Sequence, residues 1–238
     1  MLKNISKSFL LIAFALCLCC VVYPAVLWGF GRLFFPFQAS GSVLYGLNGK
    51  PVGSALIAQP FTHDEYFHPR PSAASYNGAA SSSAALAASN YALRARVVAM
   101  LGSIVKYKNG PRAGQLVSPD IELWIKNKNL KGPASVYFDK WRQNNPDVSL
   151  EDVPGDIVTT SASGLDPHIT LENAEFQLDR VAAKWAEITH HDPTRVRAEI
   201  QQVLDADEFA PLKGLVGEKM VNVLKVNLEL QKRFKGVL

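Results

Sequence analysis

The strongest pattern along the chain lies near its start, where about twenty residues from Phe9 to Trp28, FLLIAFALCLCCVVYPAVLW, pass without a charge. At ~1.5 Å of rise per helical residue such a run spans roughly 30 Å, the thickness of a bilayer's hydrocarbon layer. It predicts a transmembrane helix over 9–31. The apolar run continues into WGFGRLFFPF with no small-residue cleavage site, so the reading is a retained anchor and not a removed signal peptide. Pro24 deletes one backbone bond, which membrane helices tolerate when neighbours compensate, and this predicts a packed helix.

Beyond the anchor the patterning changes to short elements. Two apolar runs flank Asn48-Gly49, a dipeptide suited to the positive φ angles of a tight turn, and predict paired strands over Ser42–Tyr45 and Gly53–Ile57. Residues 75–83 are small and polar and predict a surface loop. Leu93, Val97, Leu101, Ile104 and Val105 recur at helical spacing after Ser89, a candidate cap. Lys106–Lys131 breaks the pattern and predicts a basic, partly irregular excursion, followed by a short helix in VYFDKWRQN. Ile157–Thr160 suits a strand and SASG a tight loop. Thr170 is placed to cap a helix through Trp185, with Leu171, Ala174, Leu178, Val181, Ala182 and Trp185 on its apolar face. Asp192-Pro193 opens a second helix with Val196, Ile200, Val203 and Leu204 inside. Val221–Leu230 mixes period two with period 3.6 and reads as a strand passing into a helix. These elements make the fold class α+β: one N-terminal membrane helix and one mixed globular domain.

Charge fixes an expected orientation. Lys3 and Lys7 precede the apolar run and only Arg32 closely follows it, so the positive-inside rule places residues 1–8 in the cytoplasm and 32–238 outside it. Trp28, Phe30, Phe34, Phe35 and Phe37 form an aromatic collar at the exit. Three of the 25 Lys and Arg flank the anchor, which leaves the remainder nearly balanced against its 21 Asp and Glu. That balance argues against nucleic acid as a partner, although Arg94–Arg142 is basic and Asp147–Glu208 acidic. All three cysteines, Cys17, Cys19 and Cys20, fall in the membrane run, so the exported part relies on its core without disulfides.

Candidate chemistry is sparse. Ser163, Asp166 and His168 are the residues an exported, membrane-anchored hydrolase would use, yet SASG lacks the leading glycine of a G-x-S-x-G elbow. His63, Asp64, Glu65 and His68 cluster without an H-E-x-x-H pattern. The stretch YFHPRPSA, 66–73, is stiffened by Pro69 and Pro71, which fix their own φ and hold His68 and Arg70 extended. It reads as a rigid joint, with Tyr66 and Phe67 packing inward and Arg70 bonding backbone or carboxylate groups.

Taken in order, the helix ending in YP, then FPFQASGS, GSALIAQPF, YFHPRPSA, VTTSASGLDPHI and VNVLKVNLEL, make the chain resemble the C subunit of Kdp-type potassium-transporting ATPases over Phe9–Ala99 and Asp147–Leu230. The resemblance implies a bacterial inner-membrane complex in which a channel-like subunit carries potassium and a P-type ATPase subunit hydrolyses ATP. This chain would then be a non-catalytic accessory subunit that stabilises their assembly and assists ion entry. Its partners would be those two subunits and the lipid bilayer, with no cofactor of its own, because ATP and potassium are handled by the partners. The D-K-T-G phosphorylation motif of P-type pumps is absent from the sequence. Structural or assembly roles fall on Pro24, on Gln59 and Phe61, on Tyr66, Phe67, Arg70, Pro71 and Ser72, on Ser161, Ser163, Gly164, Leu165 and Asp166, and on Asn222 and Asn227. The resemblance also carries a suggested nucleotide role near Gln59 and the SASGLD loop, which an exported, ATP-poor location argues against. The section 106–146 departs from the family pattern as a longer, basic insertion.

Overall fold

A computed structural model describes residues 2–83, 86, 87 and 89–235. The chain divides into two compact units, Met1–Leu56 and Ile57–Leu238.

In the first unit, helices α1 (Leu2–Cys17) and α2 (Tyr23–Phe34) run on through a π-helical turn, Leu18–Val22. The span Ile5–Phe34 is long and apolar enough to cross a membrane, and none of it is buried within the protein. The π turn has a local cause. Pro24 has no N–H to donate and its ring crowds the preceding turn, and the helix answers by widening, so that the Tyr23 N–H reaches back five residues to the Leu18 carbonyl. A short helix α3 (Pro36–Ala39) leads to an antiparallel hairpin, β1 (Val43–Tyr45) with β2 (Pro51–Ser54). The Asn48-Gly49 turn is present, with Gly49 at φ +70° and Asn48 Oδ1 accepting from the Lys50 N–H at 3.0 Å. The second strand lies earlier than the spacing predicts: it ends at Ser54, whose hydroxyl donates to the Gly41 carbonyl at 2.7 Å, and does not reach Ile57.

The second unit holds two apolar cores. The larger is built from α8 (Leu171–Thr189), α9 (Pro193–Asp207) and α10 (Val223–Leu230), with the two-stranded pair β3 (His168–Thr170) and β4 (Met220–Asn222) across their ends. Each helix starts where a side-chain oxygen accepts a free backbone N–H: Thr170 from Asn173, Asp192 from Arg195, Asn222 from Lys225. The expected apolar faces are the buried ones. Ala174, Val181, Trp185, Val196, Ile200 and Leu204 lose all measurable exposure, and the Trp185 ring stacks on Phe234 at 5.2 Å. Helix α8 runs past Trp185 to Thr189, and Val221–Leu230 is a strand followed by a helix as its mixed period predicts.

The second core corrects the reading of 106–131 as partly irregular. Helix α5 (Ser118–Asn127) and helix α6 (Ala134–Asn144) pack with α4 (Tyr91–Ile104) around Tyr107, Val117, Ile121, Ile125, Phe138 and Trp141. Its apolar positions are diluted by lysines and asparagines on the exposed side, which hides the helical period in a short window. Asn90, one residue beyond Ser89, caps α4 by accepting from the Ala92 N–H at 2.9 Å. The face of α4 that meets this core is Val98, Leu101, Gly102 and Val105, not the stripe through Leu93, Val97 and Ile104, because Gly102 is the point of closest approach. A Cβ there would stand 2.7 Å from the Ser135 Cα on α6. Ile157–Thr160 is not a strand: Gly155–Val158 forms a single helical turn, α7, which sets Asp156 to bond both the backbone N–H and hydroxyl of Thr170.

Candidate functional site

The extended segment 58–76 crosses the larger core and gathers most of the residues singled out from the sequence. Phe67 is buried, and its backbone is held on both sides by one side chain: Asn227 Oδ1 accepts the Phe67 N–H at 2.9 Å and Asn227 Nδ2 donates to the Phe67 carbonyl at 3.0 Å. The next residue is held the same way from another helix. Gln177 Oε1 accepts the His68 N–H at 2.8 Å, and Gln177 Nε2 donates to the His68 carbonyl at 3.1 Å. Arg180, one turn further along α8, donates to the carbonyls of Asp64 and Tyr66 at 2.7 and 3.1 Å, and the Tyr66 hydroxyl accepts from Gln231 at 2.7 Å. Phe61 packs its ring on Tyr66 with centroids 5.4 Å apart.

The SASGLD loop closes on the same segment. Gly164 sits at φ +73°, where a Cβ would meet the Ala74 nitrogen and the Ser82 carbonyl, each at 2.9 Å, so only glycine fits. The Ser72 hydroxyl donates to the Gly164 carbonyl and accepts from the N–H groups of Ala74 and Tyr76. Leu165 accepts from the Ala58 N–H at 2.9 Å, which ties the chain beside the half-buried Gln59 to the loop. Ser163 Oγ accepts from the Leu165 N–H at 3.1 Å, and its carbonyl takes Ser82 N–H. Ser161 is buried, and its carbonyl accepts the Gly164 N–H.

Arg70 behaves as a strut. It donates to the Thr160 carbonyl at 3.2 Å and stands 3.9 Å from Asp166, while Pro71 continues the extended path. Burial alone would raise the Asp166 pKa, but hydrogen bonds from the His168 ring and backbone, with Arg70 nearby, hold the carboxyl below its ordinary range. His168 is engaged at both ring nitrogens, by Asp166 at 2.9 Å and by Asn222 at 3.3 Å. A ring nitrogen occupied by Asn222 is not offered to a serine, so Ser163, Asp166 and His168 do not form a nucleophilic triad. His68 is pushed down by burial and by the Arg180 charge, and its Nε2 lies 3.1 Å from the His63 carbonyl. The arrangement satisfies backbone groups and carries no assembled acid–base chemistry.

Comparison with known proteins identifies the family. The family model described as K+-transporting ATPase, c chain, matches residues 5–123 and 118–232. The chain belongs to this KdpC family. Potassium-transporting ATPase KdpC subunits of Caldanaerobacter subterraneus subsp. tengcongensis and Bacillus thuringiensis are 35% and 34% identical over 90% and 98% of this chain, covering 88% and 98% of their own lengths. That of Myxococcus xanthus is 36% identical over 90% of this chain and 81% of its own. The two KdpC-matched stretches meet at 118–123, inside the basic section that forms the second core. A membrane-associated protein of the KdpC family, with one N-terminal apolar helix, is thus in hand.

Sequence reading missed Gln177 and Arg180, which bond the segment directly, and Asn173, which bonds Gln177. Asn173 and Gln177 stand four apart within the apolar face of α8 and bond each other at 2.8 Å. Polar residues interrupting an apolar stripe at helical spacing are the signal that marks them.

Proposed function

We propose that the chain is the non-catalytic accessory subunit of an ATP-driven potassium uptake complex, anchored by its N-terminal helix with the first residues in the cytoplasm and the globular units on the outer side. The helix packs against a channel-like potassium-translocating subunit, and the exported part stabilises the assembly of that subunit with the P-type ATPase subunit and assists ion entry. ATP and potassium are handled by those partners. The observation that carries this reading is the use to which the polar motif residues are put: Asn227, Ser72, Arg70 and Gly164, with Asp166 beside Arg70, all serve to fix one extended segment, an architecture for presenting a rigid surface. Membership of the KdpC family supports the setting. The helix Ile5–Phe34, with no burial of its own, supports lateral packing in the bilayer, where Pro24 and its π turn leave a backbone irregularity for a neighbouring helix to cover.

The test is co-purification. The gently solubilised chain, tagged at its C-terminus, is expected to bring down two larger membrane subunits with ATPase activity dependent on potassium. Emergence of the chain alone under conditions that keep other membrane complexes intact would overturn the proposal.

A further inference from the structure

Helices α4 and α8 and the stretch around His68 border a cleft of about 510 Å³. Its size lies within the ~300–1,000 Å³ of typical small-molecule sites. The walls are largely apolar, with Met100 and Ile104 on one side and Phe176 and Phe61 on the other. Its hydrogen-bonding groups are mostly spent already: Gln177 holds the backbone of His68, the Tyr76 hydroxyl donates to the Arg70 carbonyl, and Ser103 bonds the Met100 carbonyl.

The charged groups facing the cleft are all of one sign. Lys106 and Arg180 line it, and no Asp or Glu does among the described residues. Lys106 is a partly buried residue whose ammonium lies 5.0 Å from the centre of the Phe176 ring, with no carboxylate partner among the described residues. An ammonium beside an apolar wall and without a counter-charge is poorly solvated, so an anionic group brought to it gains more than it would on open surface. Arg180 is already engaged, 3.8 Å from the Asp64 carboxylate and donating to the carbonyls of Asp64 and Tyr66, so Lys106 is the cleft cation placed to meet an anion.

We propose that this cleft binds a small organic monocarboxylate with an apolar body, its carboxylate on the Lys106 ammonium and its body between Phe176, Met100 and Ile104. Such an acid bridges α4, which belongs to the second core, and α8, which belongs to the first.

The experiment uses the full chain in phosphatidylcholine nanodiscs, with chain-free discs as the blank, and equilibrium dialysis of two probes, 2-naphthoate and octanoate. Saturable binding of at least one probe above the blank is expected, and the tighter of the two tells a soluble aryl acid from a lipid-derived fatty acid. Lys106→Met should weaken it about tenfold, the loss of one charge-assisted hydrogen bond, while leaving the neutral 2-naphthalenemethanol unaffected. Lys106→Glu should shift preference to the cationic 2-naphthalenemethylamine. Ser103→Trp, at an exposed rim position, should abolish binding of the acids without lowering the melting temperature. Binding no greater than in chain-free discs, or equal affinity of the acids for the native chain and both Lys106 variants, would overturn the proposal.

Discussion

Replacing Asn227 by leucine tests what its amide does, because the two side chains share the same heavy-atom branching, and the change removes both hydrogen bonds without opening a cavity, at the cost of two bulkier methyl groups. Asn227 and Phe67 are each 1% exposed, so water cannot substitute for the lost partner. The Phe67 N–H and carbonyl would both be orphaned. Each buried, unsatisfied group costs about 1–3 kcal/mol, which gives about 2–6 kcal/mol in all. For a domain of this size that corresponds to a fall in melting temperature of roughly 5–20 °C. Trp185, fully buried in the same core, provides the fluorescence readout for a thermal or denaturant melt of the full chain in nanodiscs. Asn227→Asp is the companion variant. It keeps the acceptor for the Phe67 N–H but sets an oxygen against the Phe67 carbonyl, so it should also destabilise, and should recover as pH falls and the new carboxyl protonates. A melting temperature of Asn227→Leu within ~2 °C of the native chain would refute the reasoning, since it would mean that Phe67's backbone is held by something other than the amide.

Three further outcomes follow from the same geometry. Gly164→Ala combines a left-handed φ with two contacts at 2.9 Å and should cost about 2–5 kcal/mol, read by the same melt. Gly102→Ala pushes α4 off α6, where the Ser135 Cα lies 2.7 Å away; the expected loss is about 1–3 kcal/mol, with hydrogen exchange accelerated in 117–145 and little changed in α8 and α9. For His68, burial and Arg180 favour the neutral ring in the folded state, so the unfolded chain takes up a proton first near its ordinary pKa of about 6.5. Its contribution to stability is therefore complete above that value and lost as pH falls through it; His68→Gln should show a smaller drop in melting temperature between pH 7.5 and 5.5 than the native chain, and an equal drop would count against the assignment.

How far these features could be read in advance depended on the range of the forces involved. The caps at Thr170 and Asp192 are local, set by a side chain and an N–H three residues away, and they stand where the sequence places them; the cap at Asn222 is equally local but was not singled out as one. The apolar stripes of α8 and α9 were legible for the same reason. The turn at Gly155–Val158 was not, because a β-branched Ile-Val pair reads as strand until the capping use of Asp156 by Thr170, fourteen residues on, is known. In the second core α4 and α6 were legible, whereas α5 stayed hidden because it is short and lysine and asparagine surround its apolar positions. In the site, the inward packing of Phe67 and the strut role of Arg70 follow from proline spacing, whereas the grip of Gln177 and Asn227 spans 109 and 160 residues and belongs to tertiary structure alone.

That grip has a consequence for how the second unit behaves among other chains. In an extended segment, consecutive residues direct their backbone N–H and C=O groups to opposite edges. Phe67 turns its pair toward α10 and His68 turns its pair toward α8, so the two amides occupy the places that neighbouring strands would take on either side. The segment is in effect the middle strand of a sheet whose outer strands have been replaced by two side chains. It leaves no open strand edge at these residues for a foreign chain to extend, and the protection comes from two residues that a single substitution each could remove.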